Sequence, residues 1–313
     1  MKPTTTAALE RLRQNVRLVF RGDPRSVELA LAALLSRGHI LIEDVPGVGK
    51  TTLARAIGRS LSLEFRRIQF TSDTLPADVL GISVYHAPSD RFEFHAGPIF
   101  ANIVLADEIN RATPKTQSAL LEAMNEGAVT VESERRELPQ PFMVVATQNP
   151  VEYLGTYPLP ESQMDRFFLR LGLGYPDADE EKMLLRRGGA ERALAAVPAV
   201  LGPEQVLELQ DETEAVTVSD ALLAYIHAIV SSTRKNADLR LPVSTRGAQS
   251  FYRAVQAWAL LAGREYATPD DVQAVAEPVL SHRILSVASD GFGAGGRERE
   301  IVKKILAQVA VPV

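Results

Sequence analysis

The chain has 313 residues, enough for one large and one small domain, and its 46% apolar and 23% charged residues are ordinary for a soluble globular protein. The net charge of -5 excludes an overall basic surface for nucleic acid or anionic membranes. Because there are no cysteines, a disulfide framework and a thiolate metal site are also excluded. No apolar run reaches the roughly 18 residues of a membrane-spanning helix, and the N-terminal segment is polar and unlike a signal peptide, so we expect a cytoplasmic protein.

Helical segments and short apolar strands alternate through the first half of the chain. Helices are predicted over 7–19, 24–36, 51–61 and 114–126. Strands are predicted over 39–42, 65–70, 101–106, 142–147 and 167–171. Asp23 with Pro24 marks one helix start, and Thr113 marks another. This alternation predicts an α/β fold with a doubly wound parallel sheet.

The pattern changes near 172–176, and almost only helices are predicted beyond it. These helices cover 177–188, 204–210, 219–232, 246–262 and 269–285. Pro278 should kink or end the last of them, and the glycine-rich stretch 291–296 is interpreted as a loop before a final helix. We therefore predict an α/β domain at 1–174, followed by a small all-helical domain at 175–313.

A phosphate-binding loop is predicted between the first strand and the helix that follows it. Residues 44–51 fit the pattern G-x-x-x-x-G-K-[ST], except that Asp44 replaces the first glycine. The glycines let backbone N–H groups face phosphates, Lys50 supplies a positive charge, and Thr51 offers a hydroxyl to Mg²⁺. An ordinary strand-to-helix turn is the competing interpretation. The predicted nucleotide-binding residues are Pro46, Gly47, Val48, Gly49, Lys50, Thr51 and Thr52.

Two adjacent acids, Asp107 and Glu108, directly follow the predicted strand 101–106. The carboxyl ends of parallel strands are where ligands bind, and buried unpaired acids would be costly. Asp107 is predicted to hold Mg²⁺ with Thr51, and Glu108, which points elsewhere, to take a proton from the attacking water. The alternative, a solvated acidic loop, is weakened by the phosphate loop that precedes it.

With these motifs the chain resembles the MoxR family of AAA+ ATPases. The stretches that carry the resemblance are 41–51, 106–124, 146–150, 159–167 and 281–284. The resemblance implies an AAA+ P-loop domain with a helical lid, ATP with Mg²⁺ as cofactors, and hydrolysis of ATP to ADP and phosphate. It also implies a homo-oligomer, a hexameric ring, that remodels client proteins, with von Willebrand factor A-domain proteins and metal-cofactor maturation targets among them.

The resemblance assigns three further catalytic residues. Asn149 matches the sensor-1 position, Arg166 the arginine finger given to a neighbouring subunit, and Arg246 the sensor-2 position in the lid. Each has a simpler interpretation. For Asn149 it is a turn-forming residue, and for Arg166 a surface arginine paired with Asp165 or Glu161. For Arg246 it is a solvated arginine at a helix start.

Two further segments are predicted to form hairpins. Residues 84–95 read as two alternating strands around a turn at 88–90, where this clade carries its helix-2 insert, and 128–138 read as a second hairpin. In ring-shaped relatives such hairpins face the pore. Two surface hairpins without a role in function are the alternative.

Other functions share these motifs. A nucleic-acid motor or loader is disfavoured by the acidic charge, since the clearest basic pairs are only 66–67 and 135–136. A magnesium-chelatase-like metal-insertion subunit and a non-hydrolysing nucleotide-gated scaffold are the remaining alternatives. The presence of Lys50, Asp107, Glu108 and Arg166 argues against the scaffold, which would need none of these four.

Overall fold

The computed structural model describes residues 3–88, 90–149, 155–187, 190–288 and 296–312. Its strands are β1 (Ile40–Glu43), β2 (Phe65–Gln69), β3 (Gly81–His86), β4 (Arg91–Ala96), β5 (Ile103–Asp107), β6 (Ala128–Val131), β7 (Glu134–Glu137), β8 (Met143–Gln148), β9 (Leu169–Leu171), β10 (Leu239–Leu241) and β11 (Leu285–Ser286). Its α-helices are α1 (Pro3–Val19), α2 (Pro24–Leu35), α3 (Lys50–Ser60), α4 (Pro76–Leu80), α5 (Pro114–Glu126), α6 (Glu161–Met164), α7 (Ala178–Arg187), α8 (Ala190–Ala196), α9 (Pro203–Glu214), α10 (Asp220–Lys235), α11 (Thr245–Leu261), α12 (Pro269–Leu280) and α13 (Gly296–Gln308). Short 3₁₀ turns cover Ile109–Arg111 and Ser281–Arg283.

A five-stranded sheet in the order β2-β5-β8-β1-β9 forms the centre of the first half. Every neighbouring pair in it is parallel, as the nearly continuous apolar runs predicted. The two central strands β5 and β8 are buried along most of their length, because helices cover both faces of the sheet. Since all strands point the same way, their carboxyl ends meet at one edge. The predicted doubly wound α/β fold is confirmed.

One large hydrophobic core joins a face of the sheet to the helices of the second half. α2 is almost entirely buried, because it packs against α9 and α11 as well as against the sheet side of the molecule. Its start is as predicted: Pro24 is the first helical residue, and the Asp23 side chain accepts a hydrogen bond from Arg25 N at 2.9 Å. A second core covers the opposite face of the sheet and includes α5. The domain boundary at 174/175 falls between β9 and α7 and stays a prediction.

Several short elements differ from the prediction. The second half is not purely helical, since β10 and β11 pair antiparallel. Pro278 lies inside α12, and the helix ends two residues later, at Leu280, instead of reaching residue 285. Residues 289–295, which hold most of the predicted glycine-rich loop, and Ser89, in the first predicted hairpin turn, lie outside the described residues. Within the described ranges, no helix combines the length and apolar character needed to cross a bilayer.

Both predicted hairpins are present. β3 pairs antiparallel with β4, and β6 pairs with β7. The two hairpins touch, because the Arg136 guanidinium of β7 lies 3.9 Å from the ring centroid of Phe94 in β4. Phe94 also meets Phe100 edge-on at 5.7 Å between centroids. Along the chain, the first hairpin precedes β5 and the second precedes β8.

Candidate functional site

The phosphate loop connects β1 to α3 at the carboxyl edge of the sheet. Gly47 and Gly49 have φ values of 88° and 95°, a conformation that side chains other than hydrogen disfavour. Gly49 is the N-cap residue of α3. The loop therefore leads directly into the first turn of the helix, whose N–H groups have no partner within the helix. This arrangement presents backbone donors and the positive end of the helix dipole to one point in front of the loop.

A cleft of about 360 Å³ lies in front of this loop. It brings together most of the predicted site residues, from the loop and from the ends of β5 and β8. Its lining residues are Pro46, Gly47, Gly49, Lys50, Thr51, Thr52, Arg67, Asp107, Glu108, Thr147 and Asn149. The Val48 side chain is instead buried in the hydrophobic core, and neither Arg166 nor Arg246 lines this cleft.

Thr147 connects the two acids at the end of β5. Its buried hydroxyl donates to Asp107 Oδ1 at 2.5 Å and accepts from Glu108 N at 2.9 Å. These contacts are possible because β5 and β8 are parallel neighbours in the sheet, so that their carboxyl ends lie side by side. Glu108 has a φ of 57°, the left-handed conformation that is strained for a side chain of this kind. The hydroxyl therefore helps to hold the backbone turn that separates the directions of the two carboxylates.

Side chains from β2 contact the same acids. Arg67 donates to Asp107 Oδ2 from Nη2 at 2.6 Å and from Nε at 3.1 Å. Gln69 Nε2 donates to Glu108 Oε2 at 3.1 Å, and Arg111 Nη1 donates to the same oxygen at 3.1 Å. Asp107 is thus neutralised by a guanidinium, whereas Glu108 is oriented by one amide and one cation. The two carboxylates lie in different environments, as different roles require.

Lys50 lies between these acids and the base of the loop. Its ammonium group donates to the main-chain oxygen of Asp44. Burial lowers the pKa of Lys50 below its ordinary value, and the charges of Asp44, Asp107 and Glu108 oppose that shift in part. The cleft therefore holds the Lys50 ammonium and the Arg67 guanidinium among several acids, and this balance favours an anionic ligand that carries its own divalent cation.

Asp44, where the pattern has a glycine, has a structural role. Its Oδ1 accepts from Val45 N at 2.7 Å, and its Oδ2 accepts from both Leu173 N and Gly174 N at 2.8 Å. The side chain ties the phosphate loop to the segment that leaves β9 towards the second half of the chain. It points away from the phosphate-facing glycines and leaves the cleft open.

The two predicted arginines both lie outside the cleft of their own chain. Arg166 donates from Nη1 (2.8 Å) and Nε (3.2 Å) to the Asn125 side-chain oxygen, when that amide is oriented to accept. The carboxylates considered as its partners bind other groups, since Asp165 pairs with Arg283 and Glu161 with Arg240.

Arg246 is in the first turn of α11. The cap residue of that helix, Ser244, donates from Oγ to Asp165 Oδ2 at 2.8 Å. The start of α11 is therefore held beside the Asp165–Arg166 segment.

Comparisons with known proteins agree with this geometry. Residues 39–169 match the model of the ATPase family associated with various cellular activities (AAA), and residues 231–305 match an AAA lid domain. The chain is 38% identical to the chaperone MoxR1 of Mycobacterium tuberculosis over 313 residues, 97% of this chain and 82% of that protein. The chain belongs to the MoxR family of AAA ATPases.

Two other relatives resemble this MoxR-family chain over nearly its full length. The uncharacterised protein YeaC of Bacillus subtilis is 47% identical over 300 residues, 96% of this chain and 93% of that protein. The crystal structure of a presumed ATPase of Cytophaga hutchinsonii superposes with a TM-score of 0.88 at 36% identity, covering 99% of this chain and 96% of that one. This MoxR-family protein is therefore a chaperone-like AAA ATPase, and nucleotide binding follows from the family.

Three residues that line this cleft or contact its acids were not predicted from the sequence. Thr147 is a hydroxyl near the end of an otherwise apolar strand, two residues before Asn149, and that position was the available signal. Arg67 and Gln69 alternate along β2, so they share a face, but nothing local to β2 identifies β5 as its neighbour.

The cleft fits Mg²⁺. Thr51 offers a hydroxyl and Asp107 a carboxylate to the same space, which is the small set of hard oxygen ligands that Mg²⁺ uses beside phosphates. Among the residues described, no group of three or more His, Cys, Asp or Glu side chains forms a self-sufficient metal site. A metal here would therefore depend on the nucleotide for much of its coordination.

Proposed function

We propose that this MoxR-family ATPase hydrolyses ATP with Mg²⁺ in a homo-oligomeric, hexameric ring and uses the cycle to remodel or activate a client protein. The observation that carries the proposal is the division of the site. The loop, both acids and Asn149 line one cleft, whereas Arg166 and Arg246 lie outside it. A cleft with these arginines missing is completed most simply by the arginines of a neighbouring subunit. The cytoplasmic location expected from the sequence is part of the proposal and would be tested by cell fractionation.

Within the cleft, each residue has a defined task. Backbone N–H groups of the loop and Lys50 bind the β- and γ-phosphates. Glu108 takes a proton from the attacking water, and Asn149 orients that water. Thr51 and Asp107 would hold Mg²⁺, which neutralises phosphate charge when it is bound.

The arginines complete the site from outside. Arg166 would neutralise the charge that develops on the transferred phosphoryl group of the adjacent subunit's ATP, a contribution of about 10³ to 10⁵ in rate for known arginine fingers. Arg246, held beside the same segment, would sense that phosphate together with Arg166. The pair would make hydrolysis in one subunit depend on the position of the next.

The hairpins supply a surface for the client. Ile82, Val84, Tyr85 and Phe92 expose large apolar side chains on β3 and β4, which is unusual for a surface without a partner. We propose that this surface contacts the client, either a von Willebrand factor A-domain protein or a metal-cofactor maturation target. MoxR1, a relative, is named as a chaperone, which supports a protein client over DNA.

Steady-state ATP hydrolysis as a function of protein concentration tests the proposal, with mass measured in parallel by light scattering. Specific activity that rises steeply as the ring assembles is the expected result. Activity that is the same for monomer and ring would contradict a site completed between subunits. A filter-binding assay with single- and double-stranded DNA at two salt concentrations tests the competing nucleic-acid function.

A further inference from the structure

The guanidinium of Arg283 is buried at the junction between the lid and the sheet. The Arg283 side chain is only 1% exposed. It donates from Nε to Asp165 Oδ1 at 3.0 Å, from Nη2 to Phe167 O at 2.6 Å, and from Nη1 to Phe168 O at 2.9 Å and to Val279 O. A buried cation is stable only with such a set of acceptors, so the folded chain must place these oxygens around the Arg283 guanidinium.

These acceptors flank one residue, Arg166. Asp165 precedes it and Phe167 follows it, so one side chain fixes the backbone on both sides of the proposed finger. His282 Nε2 adds a contact to Phe167 O at 3.0 Å. The stretch 281–284 contributed to the family resemblance, but no role was assigned to it. Its His282 and Arg283 side chains contact the segment that carries Arg166.

The same contacts reach the helix that carries Arg246. The second oxygen of Asp165 accepts from Ser244 Oγ, and Ser244 also caps α11 by accepting from Gly247 N at 2.9 Å. The packing is close, because a Cβ on Gly247 would lie 2.8 Å from Arg283 Cδ. The segment that carries Arg166 and the start of α11 therefore both contact the Asp165 carboxylate and the Arg283 side chain.

We propose that Arg283 and Asp165 are positioning residues, which lock Arg166 and the start of α11 into one unit offered to the neighbouring subunit. Neither touches the nucleotide. Both act through Arg166 and Arg246, so the inference rests on the proposed function. Loss of this unit should lower the rate in the neighbour's site and leave the chain's own cleft intact.

Complementation between subunits tests this directly. The Asp165→Ala variant is mixed with an excess of Glu108→Gln subunits, which lack their own base but keep an intact Arg166. We expect Asp165→Ala alone to lose at least about tenfold in kcat with little change in KM for ATP, and the mixture to recover most activity per Asp165→Ala subunit. Arg166→Ala is the positive control and should recover in the same way, whereas Lys50→Ala, defective in its own cleft, should not.

The outcomes separate the two ideas. Recovery of Arg166→Ala without recovery of Asp165→Ala overturns the positioning role and keeps the finger. Failure of Arg166→Ala to recover overturns the proposed finger, and the positioning role with it. A merely structural role of Asp165 predicts a defect that intact neighbours cannot repair.

A milder variant covers the case in which Asp165→Ala does not fold. Ser244→Ala removes only the hydroxyl that joins Asp165 to α11, and Ser244→Thr restores it. Ser219→Ala is the matched control, because Ser219 caps α10 by accepting from Leu222 N at 3.2 Å. We expect a kcat loss for Ser244→Ala that Ser244→Thr and Glu108→Gln subunits both repair, and wild-type kcat for Ser219→Ala. Equal behaviour of the two alanine variants would overturn the proposal.

Discussion

Thr147 in β8 donates a hydrogen bond of 2.5 Å to Asp107 in the neighbouring strand β5. The two residues are far apart in the sequence. The same hydroxyl accepts from Glu108 N, so one oxygen serves both acids of the cleft. Its position lies inside a buried strand, where a polar side chain needs such partners.

Thr147→Val removes this hydroxyl with little change in shape. The partly buried N–H of Glu108 then lacks its acceptor, a cost of about 1–3 kcal/mol, and the proposed base loses its orientation. We expect kcat for ATP hydrolysis to fall about 10- to 100-fold with KM nearly unchanged. Thr147→Ser, which keeps the hydroxyl, should stay close to wild type, and a kcat for Thr147→Val within twofold of wild type would contradict this role.

Glu108→Gln keeps the contacts of the side chain but cannot accept a proton from water. The expected result is a fall in kcat of about 10² to 10⁴, with nucleotide affinity retained. Hydrolysis is measured by phosphate release, and affinity by a fluorescent ATP analogue. Glu208→Gln, an exposed change on α9, is the control. If Glu108→Gln hydrolysed ATP at the wild-type rate, another base would have to be found.

Asp44→Gly restores the glycine of the usual loop pattern and tests whether Asp44 is structural. The N–H groups of Val45, Leu173 and Gly174 lose their acceptor. We expect about 1–3 kcal/mol less stability in urea unfolding, with KM for ATP within about threefold of wild type. A tenfold loss of nucleotide affinity would show that the carboxylate acts in binding instead.

Stability should fall as the pH is lowered, because of a buried histidine. His39 accepts from Val144 N through Nδ1 and contacts Met124 O through Nε2, and burial lowers its pKa to about 4. The unfolded chain, with a pKa near 6.5, takes up the proton first, so the contribution is full above pH 6.5 and declines towards pH 4. Between pH 7 and pH 5 we expect a loss of about 2 kcal/mol from this residue.

Urea unfolding at the two pH values measures this loss. Burial also lowers the pKa of His282, so the free energy of unfolding of the wild type should fall by more than the contribution of His39 alone. His39→Gln should reduce the difference between pH 7 and pH 5, whereas His227→Gln, an exposed change on α10, should leave it unchanged. An unaltered pH dependence in His39→Gln would contradict the assignment.

The buried ion pair between Arg170 and Glu43 gives a prediction on stability. Arg170 Nη1 lies 3.0 Å from Glu43 Oε2, and the buried Nε and Nη2 atoms of Arg170 have no hydrogen-bond partner among the residues that the structure describes. Glu43→Gln would remove the ion-pair partner of this buried cation, at a cost of about 3 kcal/mol in urea unfolding. Glu64→Gln, in the exposed pair with Arg66, should cost less than about 1 kcal/mol. Equal costs would contradict the importance of burial.

The sequence was sufficient wherever a signal is local. The phosphate loop and the acids Asp107 and Glu108 each occupy a strand–turn–helix or strand–turn segment whose chemistry can be recognised without neighbours. The contacts of Arg67 and Thr147 with the acids could not be predicted in this way, because they depend on the order β2-β5-β8, which long-range pairing decides. The strands β10 and β11 are two or three residues long, too short for an alternating pattern.

The relative positions of the two arginines also depend on tertiary structure. A resemblance assigned a role to Arg166 and to Arg246, but their sequence separation gives no indication that one carboxylate links them. Asp165 was considered only as a salt-bridge partner for Arg166, whereas in the structure it binds Arg283 and Ser244. Side chains that connect distant segments are visible only after the fold is known.

The contact of Arg136 with Phe94 joins two hairpins that are separate in the sequence. One hairpin leads into β5, which ends at Asp107, and the other into β8, which ends beside Asn149. In the proposed function, a relative shift of these adjacent strands would therefore move both hairpins together against the client. Without this contact the two hairpins would move independently, and the proposed client contact would be coupled less tightly to hydrolysis.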